Sequence, residues 1–186
     1  MSMDVHSLIR KQRELDALVL FEKKLTIHPS HLYTMRVTAF LVELFEFANE
    51  LRAFKFWSNK APSSKEVLLE EYVDALHFLL SMTYTVCDTY THGRHDIYDD
   101  INAILEKPLT MFFFRTGQEV NQIMLFIAGV VGSELDSDSF FWHAPLLKVW
   151  ENFISLAKLC EFSNEDIEEA YNRKYEINIE RQRTGY

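Results

Sequence analysis

Residues 67–80 read VLLEEYVDALHFLL, an apolar run with four polar side chains set into it: Glu70, Glu71, Asp74 and His77. If the segment is a helix, Val67, Leu68, Leu69, Tyr72, Val73, Ala75, Leu76, Phe78, Leu79 and Leu80 leave no ordinary watery face, so it must be buried. At about 100° per residue the four polar side chains fall on one strip about 120° wide. Ionised carboxylates are costly to bury unless something cationic neutralises them. The strip therefore demands a metal ion or a basic partner from elsewhere in the chain.

The other segments suit helices that could surround such an element. Glycine (5) and proline (4) are scarce among 186 residues of which 48% are hydrophobic, a balance that favours long helices with few turns. We expect one all-α domain over residues 1–186, a bundle of about six to seven helices. The first runs over about 4–22, with Val5, Leu8, Ile9, Leu15, Leu18 and Val19 at helical spacing. Pro29 and a candidate N-cap, Ser30, precede a second over about 31–54. Its side chains Val37, Phe40, Leu41, Leu44, Ala48 and Leu51 share one side, and Glu43, Glu46 and Glu50 lie within about 60° on the flank.

A polar loop, FKFWSNKAPSSK, follows, carrying Lys55, Trp57 and Lys60. The third helix spans about 65–90 and ends near Gly93, a plausible C-cap. His92, His95, Asp96 and Asp99 read as a surface turn rather than a metal site. Further helices are expected over 97–107, stopped by Pro108, over 109–132 as a core or dimer-interface helix, and over 140–160 after the connector ELDSDS. The last opens at Ser163, with Asp166 three residues on as in a capping box, and runs to about 183.

A formal net charge of −9 and the lack of a basic stripe argue against a nucleic-acid polymer as partner. Cys87 and Cys160 stand in apolar helical contexts without zinc spacing and read as core thiols of a reducing compartment. The N-terminal segment has no apolar signal core, and no run of about 18 apolar residues occurs. The expected location is cytoplasmic, away from membranes.

Two acidic pairs at i, i+3 carry the chemistry: Glu43 with Glu46, and Glu71 with Asp74. Each projects two carboxylates from one helical face, so two such helices packed antiparallel could aim four into a small volume. Hard oxygen ligands in that number suit Mg²⁺, which completes its shell with water and substrate phosphates. A ferritin-like di-iron site needs two acid-x-x-His pairs; only Asp74 with His77 is present. On the last helix Tyr171, Lys174, Asn178 and Arg181 lie within about 80°, forming either a salt-bridge seam or a phosphate clamp.

Together ELFEFANE (43–50), FKFWSNK (54–60), EEYVDALHF (70–78) and YNRKYEINIERQRTGY (171–186) resemble the dimeric dUTPases of the all-α NTP pyrophosphatase superfamily, which is marked by ExxE and then ExxD on facing helices. The resemblance covers roughly 8–20, 36–82 and 140–186, while 85–135 carries no motif. Asp16 stands where related proteins can carry Asn. The resemblance implies that Glu43, Glu46, Glu71 and Asp74 hold Mg²⁺ around the phosphates of dUTP, with Glu46 as general base for water attacking the α-phosphorus. It implies phosphate contacts from Lys174, Asn178 and Arg181, and a nucleobase pocket with Gln12, Trp57 and His77. Glu50 and Glu70 would support the ligands, and Lys55 and Lys60 would be solvated. The expected products are dUMP and pyrophosphate, and the expected assembly is a homodimer. Two alternatives stand beside this reading: a broader MazG-like nucleoside triphosphate pyrophosphatase and a non-catalytic helical interaction protein.

Overall fold

Burial of the 67–80 run is achieved by wrapping other helices around it. The computed structural model describes residues 3–88, 97–106, 117–133 and 143–185. Through them run α1 (Val5–Glu22), α2 (Pro29–Leu51), α3 (Lys65–Val86), α4 (Ile97–Glu106), α5 (Gly117–Ser133), α6 (His143–Leu159) and α7 (Asn164–Thr184). No strand occurs among the described residues, so the all-α expectation holds. No described helix is long and apolar enough to cross a membrane.

Helix α3 is the axis. It packs against α2, α1 and α7, and its apolar side chains from Leu68 to Val86 are almost all buried. The Tyr72 ring stacks on Phe153 of α6 at 4.2 Å between centroids, and its hydroxyl donates to the Phe153 carbonyl at 3.1 Å. The Trp150 indole donates to Thr83 Oγ1 at 2.9 Å. Large aromatic surface is thus buried with its polar ends satisfied.

The ends of α2 differ from expectation. The helix starts at Pro29, with His28 rather than Ser30 as N-cap; proline fits the first turn because its missing N–H would have had no helical partner. It stops at Leu51 rather than near residue 54, because Arg52 adopts the left-handed conformation (φ 62°) and its N–H returns to the Ala48 carbonyl. The Arg52 guanidinium donates to the Lys60 carbonyl at 3.1 Å and to Ser58 Oγ at 2.6 Å. Those loop contacts offset the cost of about 1–2 kcal/mol for a left-handed non-glycine residue. The chain then reverses, and α3 runs antiparallel to α2.

Helix α4 matches its expected span within a residue, and the Ser163–Asp166 capping box is present in both directions (3.1 and 2.9 Å). Lys65 reaches Asp166 at 2.9 Å, tying the start of α7 to the start of α3. Of the helix expected over 109–132, Gly117–Ser133 is described. Gly93, His92, His95, Asp96, Pro108, the ELDSDS connector and residues 140–142 lie outside the described residues.

Phe153 packs against both Phe40 and Tyr72 and is fully buried. Phe153→Ala should lower the unfolding free energy by about 3–5 kcal/mol, measured as a shifted urea midpoint with unchanged slope.

Candidate active site

Periodicity places Leu44 and Phe47 of α2 in the core and leaves Glu43 and Glu46 beside them on the flank that meets α3. There Glu71 faces them, and one carboxylate oxygen from each of Glu43, Glu46 and Glu71 lies within 4.8 Å of the others. Glu43 and Glu71 are half-buried and Glu46 is exposed. Asp74, about one turn along α3 from Glu71, is held differently: Lys174 of α7 donates to its Oδ2 at 2.7 Å and to Glu70 at 3.3 Å. Lys174 is thus the basic partner demanded by the strip on α3, but it serves Asp74 and Glu70. Among the described residues no salt bridge reaches the three glutamates.

The electrostatics follow from that arrangement. Burial, then repulsion from Asp74, Glu46 and Glu71, pushes the Glu43 carboxyl up to about 7. Burial and then Asp74 and Glu46 raise Glu71. Asp74 is also raised, because burial outweighs the hydrogen bond from Lys174. Burial works against the Lys174 charge, yet its bonds to Asp74 and Glu70 hold its pKa above the ordinary value. Three convergent carboxylates, with Glu43 and Glu71 raised in proton affinity and no salt bridge to any of the three among the described residues, are a donor set suited to a hard divalent ion.

A cavity of about 520 Å³ adjoins this cluster, within the range of roughly 300–1,000 Å³ typical of small-molecule sites. Four helices line it: α1 with Gln12, Leu15 and Asp16, α2 with Met35, Arg36 and Glu43, α3 with Asp74, His77 and Phe78, and α7 with Lys174, Asn178 and Arg181. Glu43, Asp74, Lys174, Asn178, Arg181, Gln12 and His77 are therefore brought together. Glu46 and Glu71 join them through Glu43.

Trp57 is not in the lining. It is 66% exposed and packs edge-on to Phe54 and Phe56. Because α2 ends at Leu51, the loop begins roughly 12 Å along the helix from Glu43. Glu50 lies at that end too, hydrogen-bonded to Ser63.

His77 is buried and stacks on Tyr171 at 4.3 Å. Burial, reinforced by Lys174, lowers its pKa to about 3, so the ring is neutral. Its Nδ1 meets Gln12 Oε1 at 2.7 Å, and Gln12 Nε2 donates to Asp16 Oδ1 at 2.8 Å. Asp16 in turn accepts from Arg36, Ser81 and Tyr84. The sequence reading missed Arg36, Ser81 and Tyr84. Arg36 had a signal: it precedes Phe40 by four residues, so it is a cation on the core face of α2.

A carboxyl whose folded pKa is raised binds its proton more tightly in the native state, so stability falls as pH rises from the unfolded value, near 4.5, through about 7. In metal-free protein Glu43→Gln should therefore raise the Tm at pH 8 and lose that advantage by pH 5, as measured by thermal denaturation.

The comparisons with known proteins bear on this geometry. A search of curated proteins finds no match. The family model described as dUTPase matches residues 4–186, which takes in all seven helices and every side chain named at the site. The chain belongs to the dUTPase family and is a nucleotide pyrophosphohydrolase, a dUTP diphosphatase.

Proposed function

We propose that the reaction is Mg²⁺-dependent hydrolysis of dUTP to dUMP and pyrophosphate, with water attacking the α-phosphorus. The observation that carries this reading is the convergence of Glu43, Glu46 and Glu71 within 4.8 Å, with no salt bridge to any of them among the described residues, beside a cavity lined by Lys174, Asn178 and Arg181. Glu43, Glu46 and Glu71 hold the metal, and Asp74 joins them when Lys174 turns from it to the substrate. The chemistry supplied by bound Mg²⁺ is neutralisation of phosphate charge and acidification of a water. Glu46 is the exposed member of the cluster, open to a water arriving from solvent, and it accepts that water's proton. Lys174 and Arg181 bind phosphate oxygens with charge-assisted hydrogen bonds, and Asn178 orients the phosphate or sugar. Gln12 and His77 form the polar part of the nucleobase end, against Leu15 and Phe78. Trp57 is not in the lining of the cavity.

The active form is a homodimer. Met35, Val42 and Phe45 share a face of α2 and are 58%, 48% and 48% exposed, a concentration of apolar surface that suits a second copy of the chain.

Purified protein should release pyrophosphate from dUTP only with Mg²⁺, and in H₂¹⁸O the label should appear in dUMP. Glu46→Gln should lower kcat by about 10²–10⁴-fold, Asp74→Asn should also lower activity, and Lys174→Ala should raise KM. Full activity in both carboxylate variants would refute the site; equal turnover of dUTP, dTTP, dCTP and UTP would refute uracil selectivity. Sedimentation should give twice the 22.0 kDa monomer mass, reduced to the monomer by Val42→Arg.

A further inference from the structure

Lys174 stands at the boundary between two cavities. It lines the 520 Å³ cavity together with Asp74, and a second cavity of about 320 Å³ together with Glu66 and Glu70. Its ammonium bridges one carboxylate of each, at 2.7 Å from Asp74 and 3.3 Å from Glu70. The two contacts differ in kind. The Lys174 and Asp74 side chains are 15% and 19% exposed, so their bond is sheltered from the water and salt that weaken surface pairs, whereas Glu70 is 64% exposed. Asp74 also lies within electrostatic reach of Glu43 and Glu71, which makes it the fourth carboxylate beside the convergent three. An ammonium on Asp74 Oδ2 sets a positive charge beside any ion drawn to that carboxylate, and two cations sharing one sheltered aspartate repel each other. The lysine stem is flexible enough to leave Asp74, and Glu70 provides a second place for its charge.

We infer that Lys174 is a built-in competitor of the metal: held on Asp74 in the free protein, it keeps the fourth carboxylate from a divalent ion until it is displaced, and Glu70 is the seat that retains the ammonium beside the cavity. This rests on the carboxylate cluster being the metal site of the proposed reaction. Phosphates that draw the ammonium from Asp74 make that carboxylate available, so nucleotide strengthens metal binding beyond the contacts the phosphates make themselves. By reciprocity the metal strengthens nucleotide binding to the same degree. The free protein therefore holds a divalent ion weakly, and the complete ligand set assembles only when the substrate is present.

Competition is read without nucleotide and without turnover, by titrating the full chain with Mn²⁺ and following the free ion by electron paramagnetic resonance. Lys174→Met should bind Mn²⁺ about tenfold more tightly than the unmutated chain, the equivalent of one charge-assisted hydrogen bond. In an Asp74→Asn background the same substitution should change the affinity by less than about twofold, since the two residues act as a pair. Equal gains in both backgrounds, the additive result of repulsion through space, overturn the inference. A crystal structure of the unmutated, nucleotide-free chain at saturating Mn²⁺ decides the matter even if the variants fold poorly. The expected result is an ion on Asp74 with Lys174 retained at Glu70; an ion seated among the glutamates with the Lys174–Asp74 bond intact overturns it. A chain that neither binds Mn²⁺ nor releases pyrophosphate from dUTP would instead refute the function on which the inference rests.

Discussion

Unbalanced negative charge between α2 and α3 is the constraint on which the rest of the structure depends. At an effective dielectric of about 20, two like unit charges 5 Å apart repel by about 3 kcal/mol before solvent screening. Glu43, Glu46 and Glu71 are held near that separation by two helices whose apolar faces leave them little freedom to part. Leu44 and Phe47 on one side, and Tyr72, Val73 and Leu76 on the other, fix the helix pair from within. Packing energy thus maintains an electrostatically unfavourable arrangement, as expected where binding competence outweighs local stability.

Helix α7 relieves only part of that charge. Lys174 pairs with Asp74 and Glu70, and burial still holds the Asp74 pKa above its ordinary value. The same face of α7 brings Asn178 and Arg181 to the cavity, so cations and carboxylates face one another across it without all pairing. Helix α1 closes the far wall with a different chemistry. Its Asp16 is compensated by Arg36 and three neutral donors, and the result is a rigid, ordered polar network rather than a cluster with open valences. The two acidic centres of one cavity therefore differ in kind: one is hydrogen-bonded to completion, and the other is short of positive charge.

Much of the architecture was legible in the chain because it follows from periodicity. The burial of α3, the division of α2 into an apolar face and an acidic flank, and the Ser163–Asp166 cap are local consequences of residue spacing, and the structure has all of them. The end of α2 was not legible. No glycine or asparagine marks the left-handed residue there; Arg52 takes that role because Ser58 and the Lys60 carbonyl, both beyond the turn, hold its side chain. Trp57, in the loop beyond that turn, is exposed and outside the cavity lining.

What the sequence by itself determined is the set of groups each helix can present: an i, i+3 spacing puts Glu43 with Glu46, and Glu71 with Asp74, on common faces whatever the surroundings, and the family match over residues 4–186 agrees with the dUTPase resemblance of which those motifs are part. Only the tertiary structure decided which groups compensate one another. Lys174 could have met any acidic side chain by spacing alone, yet packing of α7 along α3 gives it to Asp74 and Glu70 and leaves the three glutamates together. Likewise Asp16, Gln12 and His77 become one relay only where α1 and α3 lie side by side. Helical geometry is a property of neighbours along the chain, whereas charge compensation and hydrogen-bond polarity depend on which distant side chains share a buried volume.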